Sequence, residues 1–76
     1  MTVFVLSCEW SGEFQTLGVY NTIFNLLETL PRQHFEEGER IEDFAAVDGQ
    51  HSVVYTNMAT YYIDEHIVEG ISEYEK

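Results

Sequence analysis

Positive charge is what this chain has least of. Its 76 residues carry only three Lys and Arg side chains, Arg32, Arg40 and Lys76, against 14 Asp and Glu, for a net charge of −11. Direct binding of DNA, RNA or anionic lipid needs clustered Lys and Arg, so that composition argues against all three. One Cys cannot close an internal disulfide, which suits a reducing compartment. No apolar run approaches the ~20 residues that a membrane span needs. Met1 to Leu6 is too short for a signal peptide and has no basic segment before it, so an intracellular, cytoplasmic protein is expected. There is one Pro, at position 31, and there is no repeat or low-complexity tract.

What remains is apolar and acidic together. Hydrophobic residues make up 45%, too many for a disordered acidic tail. The length allows one domain, residues 1–76, whose small core buries only about 60–65% of the unfolded surface. Small domains usually hold net charge to a magnitude of roughly 2–8, and excess like charge destabilises the compact state. The surplus acid therefore points to a cationic partner.

Alternation of apolar and polar residues supplies the strands. The stretch Tyr61 to Glu69 places Tyr61, Ile63, Glu65, Ile67 and Glu69 on one side and Tyr62, Asp64, His66 and Val68 on the other. It reads as a long late strand, with Ile63 and Ile67 in the core. Thr2 to Trp10 alternates as well, and Ser11-Gly12 signals a turn into a second strand, Glu13 to Tyr20. A uniform two-residue hairpin register sets Leu6 opposite Leu17 and Phe4 opposite Val19 on the core face. It sets Val3 opposite Tyr20, and Val5 opposite Gly18, on the other. That second face is apolar too, so Val3, Val5 and Tyr20 are the expected contacts of a homodimer.

Asn21 or Thr22 can cap a helix in which Ile23, Leu26, Leu27 and Leu30 form one face, with Pro31 as its stop. Arg32 to Asp43 reads as an acidic loop, Phe44 to Val47 as a short apolar run, and Asp48-Gly49 as a turn. His51 to Thr56 is another strand. The expectation is an α+β fold of order β-β-α-β-β: a small antiparallel sheet with an N-terminal hairpin, one short helix packed on it, and the long late strand.

No paired cysteines, H-x-x-x-H or calcium-loop pattern is present, so no metal or other cofactor is expected. Cys8 sits at an inward strand position and reads as an inert thiol. No nucleophile and base are spaced for catalysis, and the chain is read as a binding protein, not an enzyme. Exposed aromatics such as Trp10 or Tyr62 suit an interface. The chemistry lies in the carboxylates. Residues two apart on a strand are about 6.5–7 Å apart, a spacing on the scale of phosphates along a DNA strand. The expected contacts are Glu36, Glu37, Glu39, Glu42, Asp43, Asp64, Glu65 and Glu69.

Two resemblances attach to these residues. The run Val3-Phe4-Val5-Leu6-Ser7-Cys8-Glu9, the step Leu17-Gly18-Val19-Tyr20 before the helix, and Tyr61-Tyr62-Ile63-Asp64-Glu65 look like a group of small phage proteins with the same element order. In size, acidity and strand order the chain also resembles phage host-takeover proteins that mimic DNA, closest in kind to inhibitors of the bacterial nucleoid protein HU. That likeness implies a dimer in the host cytoplasm that blocks the DNA-binding surface of a basic, nucleoid-associated protein. Other host machines (RNA polymerase, a restriction enzyme, a CRISPR effector) and a metal-binding module are the alternatives.

Overall fold

The computed structural model describes residues 1–10 and 12–68, and of Trp10 its backbone only. Five strands and one helix follow one another: β1 Thr2–Trp10, β2 Glu13–Tyr20, α1 Ile23–Gln33, β3 Ile41–Ala46, β4 His51–Thr56 and β5 Thr60–Ile67. The strands form one antiparallel sheet in the order β2-β1-β5-β4-β3. The α+β class holds, with one strand more than the sequence pattern suggests. β3 was hidden because it begins inside the acidic run. A bulge between Ile41 and Asp43 also breaks its alternation.

β5 is the central strand, joining the β1–β2 hairpin to the β3–β4 hairpin. Its inward residues Tyr61 and Ile63 are 3% and 2% exposed. With Leu6, Val54, Leu26 and Leu30 they form the core, and Phe35 packs its ring 5.6 Å from that of Tyr61. Ile67, expected to share this core, is 67% exposed. The inward set of β5 continues past the end of the core cluster, so alternation alone does not bury it.

A bulge also corrects the first hairpin. Near the tip Trp10 pairs with Glu13 and Ser7 with Thr16, as a two-residue loop requires. Gly12 supplies the positive φ of 84° in that turn. The register then shifts, so Leu6 pairs with Gly18, Val5 with Val19 and Phe4 with Tyr20. Leu17 is the extra residue. Its insertion exchanges the faces of the next residues: Tyr20 turns to the core, and Val19 becomes 59% exposed on the outside. Tyr20 therefore does not share a face with Val3 and Val5. Its ring lies over Gly18, where an added Cβ would come within 3.1 Å of it.

Thr22 caps α1, its hydroxyl accepting the Asn25 N–H at 3.0 Å. Leu26 and Leu30 are fully buried, with Ile23 and Leu27 beside them, while Phe24 is 71% exposed. Pro31 does not end the helix. It lies inside, and the His34 N–H still donates to the Leu30 carbonyl at 3.0 Å. Proline removes only its own N–H, and the buried Leu30 side chain holds the residue before it in helical torsions that proline disfavours.

Leu30→Ala should cost about 2–5 kcal/mol in urea unfolding because it empties a fully buried site. Phe24→Ser, on the exposed side of the same helix, should stay within about 0.5 kcal/mol.

Candidate binding surface and adjoining cavity

The register sorts the acidic residues by position along the sheet. Glu9 at the end of β1 lies opposite Thr60 at the start of β5, and Trp10 lies opposite Glu13. Ile41 at the start of β3 lies opposite Thr56 at the end of β4. Glu9, Glu13, Glu42 and Asp43 thus share one end of the sheet. The connection from α1 to β3 adds Glu36, Glu37 and Glu39 there. It is held against the β4–β5 turn by Asn57, whose Oδ1 accepts the Arg40 N–H at 2.7 Å and whose Nδ2 donates to the Gly38 carbonyl at 3.1 Å. Gly38 allows this approach with a φ of 86°.

Five of the expected contacts therefore come together: Glu36, Glu37, Glu39, Glu42 and Asp43. Arg40 is the basic residue among them, 3.8 Å from Glu42 across an exposed pair that contributes little. Asp64 and Glu65 do not join them. β5 runs away from this end, and successive residues point to opposite faces. Asp64 lies 3.6 Å from the His51 ring, which Asp48 also contacts at 2.9 Å. Glu65 stands on the helix side, opposite Phe4. Glu69 and the tail, Ile71 to Lys76, lie outside the described residues, as does the Trp10 side chain.

Glu39 differs from its neighbours because it turns inward. Its carboxylate accepts the Glu36 N–H at 2.8 Å, the Thr56 hydroxyl at 2.6 Å and the Tyr61 hydroxyl at 2.9 Å. Burial opposes its ionisation, but these three bonds together outweigh that and hold its carboxyl below the ordinary range. Burial, with the bond to Glu39, in turn pushes the Tyr61 hydroxyl far above the usual tyrosine value. So the acidic end is tied to the central strand by a charge-assisted network.

Beside this network is a cavity of about 160 Å³. Cys8 from β1, Leu17 from β2, His34 after the helix and Tyr61 from β5 meet there with Glu39. The His34 Nε2 is buried, with no hydrogen-bond partner among the described residues. Burial, helped by the charges of Glu39 and Glu9, raises the Cys8 thiol, which disfavours the reactive thiolate. No local sequence signal marks this cavity, because each of these residues comes from a different element. Among the described residues no group of three or more His, Cys, Asp or Glu side chains is arranged to hold a metal ion. No helix among them is long and apolar enough to cross a membrane.

The sheet face away from α1 carries Val3, Val5 and Val19, with the Phe14 and Tyr62 rings 5.1 Å apart. The Tyr62 hydroxyl donates to Glu9 at 2.9 Å. Comparison with protein-family models, curated proteins and solved structures gave no match.

Replacing the inward carboxylate should expose its role through pH. Glu39→Gln should lower stability by about 1.5–3 kcal/mol near neutral pH, the value of hydrogen bonds to a charged group. A carboxyl with a lowered folded-state pKa stabilises above its unfolded value, 4.5, and that contribution fades as pH falls through the folded value. The difference between wild type and variant should therefore shrink on acidification below that point. Urea titrations across the acid range measure it.

Proposed function

We propose that this protein is a DNA mimic that binds a basic nucleic-acid-binding protein and covers its DNA-binding surface. One observation carries the reading: Glu9, Glu13, Glu36, Glu37, Glu42 and Asp43 gather at one end of a stiff sheet. The chain as a whole has three Lys and Arg to offset 14 acids. Acids placed at one end of a folded frame, with few cations to offset them, make that end electronegative, and Lys and Arg supplied by a partner are drawn to it. The Asn57 and Glu39 hydrogen bonds support the reading from another side, because they fix the acidic connection before any partner arrives. A histone-like nucleoid protein such as HU is the partner to test first, in keeping with the resemblance to phage host-takeover proteins. The contact set is Glu36, Glu37, Glu42 and Asp43, with Glu9 and Glu13 beside them. Glu39 positions the connection. Asp64 and Glu65 are peripheral to the contact.

The same reading brings a second copy of the chain to the open sheet face. Val3 and Val5 contribute there together with Val19 and Phe14, both well exposed. Tyr20 has no part in it, being turned to the core.

With a purified histone-like protein, duplex DNA should compete for binding, and raising salt should weaken the complex steeply. Reversing Glu36, Glu37, Glu42 and Asp43 to Lys should reduce affinity by at least about tenfold, the change that 1.4 kcal/mol produces. Reversing Asp64 and Glu65 should matter much less. Equal effects from both sets, or no competition by DNA, would contradict the proposal. Sedimentation of the same samples at micromolar concentration reads the dimer, and a monomer there removes it.

A further inference from the structure

On the sheet face away from α1, one row of side chains crosses all five strands at the acidic end. Strand pairing sets Phe14 on β2 opposite Glu9 on β1, and Glu9 opposite Thr60 on β5. It sets Thr60 opposite Tyr55 on β4, and Tyr55 opposite Asp43 on β3. Directly paired residues share a face, so all five project to the same side. Tyr62, on the same face of β5, leans into the row. Its hydroxyl donates to Glu9 at 2.9 Å, and the Phe14 ring backs it at 5.1 Å between centroids.

Charge and aromatic surface alternate along this row. Glu9 and Asp43 are exposed and form no ion pair among the described residues. Tyr55, beside Asp43, is 43% exposed. Thr60 is the small residue between Glu9 and Tyr55, so the row is lowest over the central strand. Carboxylates alone attract any cation, and the rings supply the choice. A guanidinium is planar and weakly hydrated, so it stacks on a ring while its edge donates to a carboxylate. An ammonium group is compact and strongly hydrated, and gains less from a ring. Spacing adds a second constraint. Glu9 and Asp43 stand three strand spacings apart, about 14 Å at ~4.8 Å per strand. Residues four apart in an extended chain span about 13 Å and point the same way.

We propose that this row seats an extended segment of the basic partner that carries two arginines four residues apart. One guanidinium lies at Glu9 and the Tyr62 ring, the other at Asp43 and the Tyr55 ring. The proposal rests on the binding function above and adds to it a preference for Arg over Lys, which a crowd of exposed carboxylates alone does not give. Val3, Val5 and Val19, where the second copy is placed, lie toward the other end of this face, and Phe14 borders both contacts.

The test uses a seven-residue Gly/Ser peptide with Arg at its second and sixth positions, and the same peptide with Lys there. Titrated into the whole chain, the Arg peptide should move the Tyr55 and Tyr62 ring signals saturably. The Lys peptide should bind about fivefold more weakly, the effect of losing two exposed ring contacts. Tyr55→Ser with Tyr62→Leu should bind both peptides alike. Equal affinity of the two peptides for the wild-type chain, or shifts centred on Glu36 and Glu37, would overturn the seat. The wild-type comparison decides this even if the double variant fails to fold. A histone-like protein that binds the double variant as tightly as the wild type also removes the seat and leaves the acidic surface standing. An Arg peptide that seats here in a chain that binds no basic protein keeps the seat and removes the DNA-mimic reading.

Discussion

In the sheet β5 lies between the two hairpins and pairs with both, so its pairing with β1 and β4 is the constraint on which everything else depends. Tyr61 and Ile63 anchor it by burial, and the ladders on both sides satisfy its backbone. Because β1 and β5 are antiparallel, the end of one and the start of the other coincide. The same holds for β3 and β4. Acids far apart in the chain, such as Glu9 and Asp43, are thereby brought to one end. Tyr61 then serves twice: its ring packs in the core with Phe35, and its hydroxyl holds Glu39.

This arrangement opposes two energies. Burying Leu6, Leu26, Leu30, Val54 and Ile63 favours the compact state. Gathering like charge at one end disfavours it. A small core leaves a modest margin, so the acidic connection is not left to fluctuate. Asn57, Thr56 and Tyr61 each hold part of it by hydrogen bonds. Such pre-ordering reduces the conformational freedom lost when a partner binds. The Glu39 bonds thus link the stability of the frame to the presentation of the charges.

Much of the fold was legible because the strands follow a two-residue period. β1 and β5 emerged from alternation, β4 from the run Val53-Val54-Tyr55, and the helix from the spacing of Ile23, Leu26, Leu27 and Leu30. The departures have separate physical causes. A bulge at Leu17 swapped Val19 and Tyr20 between faces, and no propensity of those residues announces it. Pro31 looked like a stop, but the burial of Leu30 outweighs its local preference. β3 was concealed by charge, which an edge strand tolerates because one side faces solvent. For the binding surface, Glu36, Glu37, Glu39, Glu42 and Asp43 were legible as a sequence cluster. Their union with Glu9 and Glu13 required the topology. Asp64 and Glu65 looked like members of a row only while the direction of β5 was unknown. The cavity was illegible, since Cys8, Leu17, His34 and Tyr61 are spread across the chain.

If charge is concentrated at one end of the sheet, the salt dependence of stability shows it on the isolated protein. Two double variants, Glu36→Gln with Glu37→Gln and Glu28→Gln with Glu65→Gln, remove equal charge from different places. The first pair should raise unfolding free energy by about 0.5–1 kcal/mol at low ionic strength, and the gain should disappear toward 1 M salt, where screening acts within ~3 Å. The second pair should gain clearly less. Equal gains from both pairs, or a gain unaffected by salt, would contradict it.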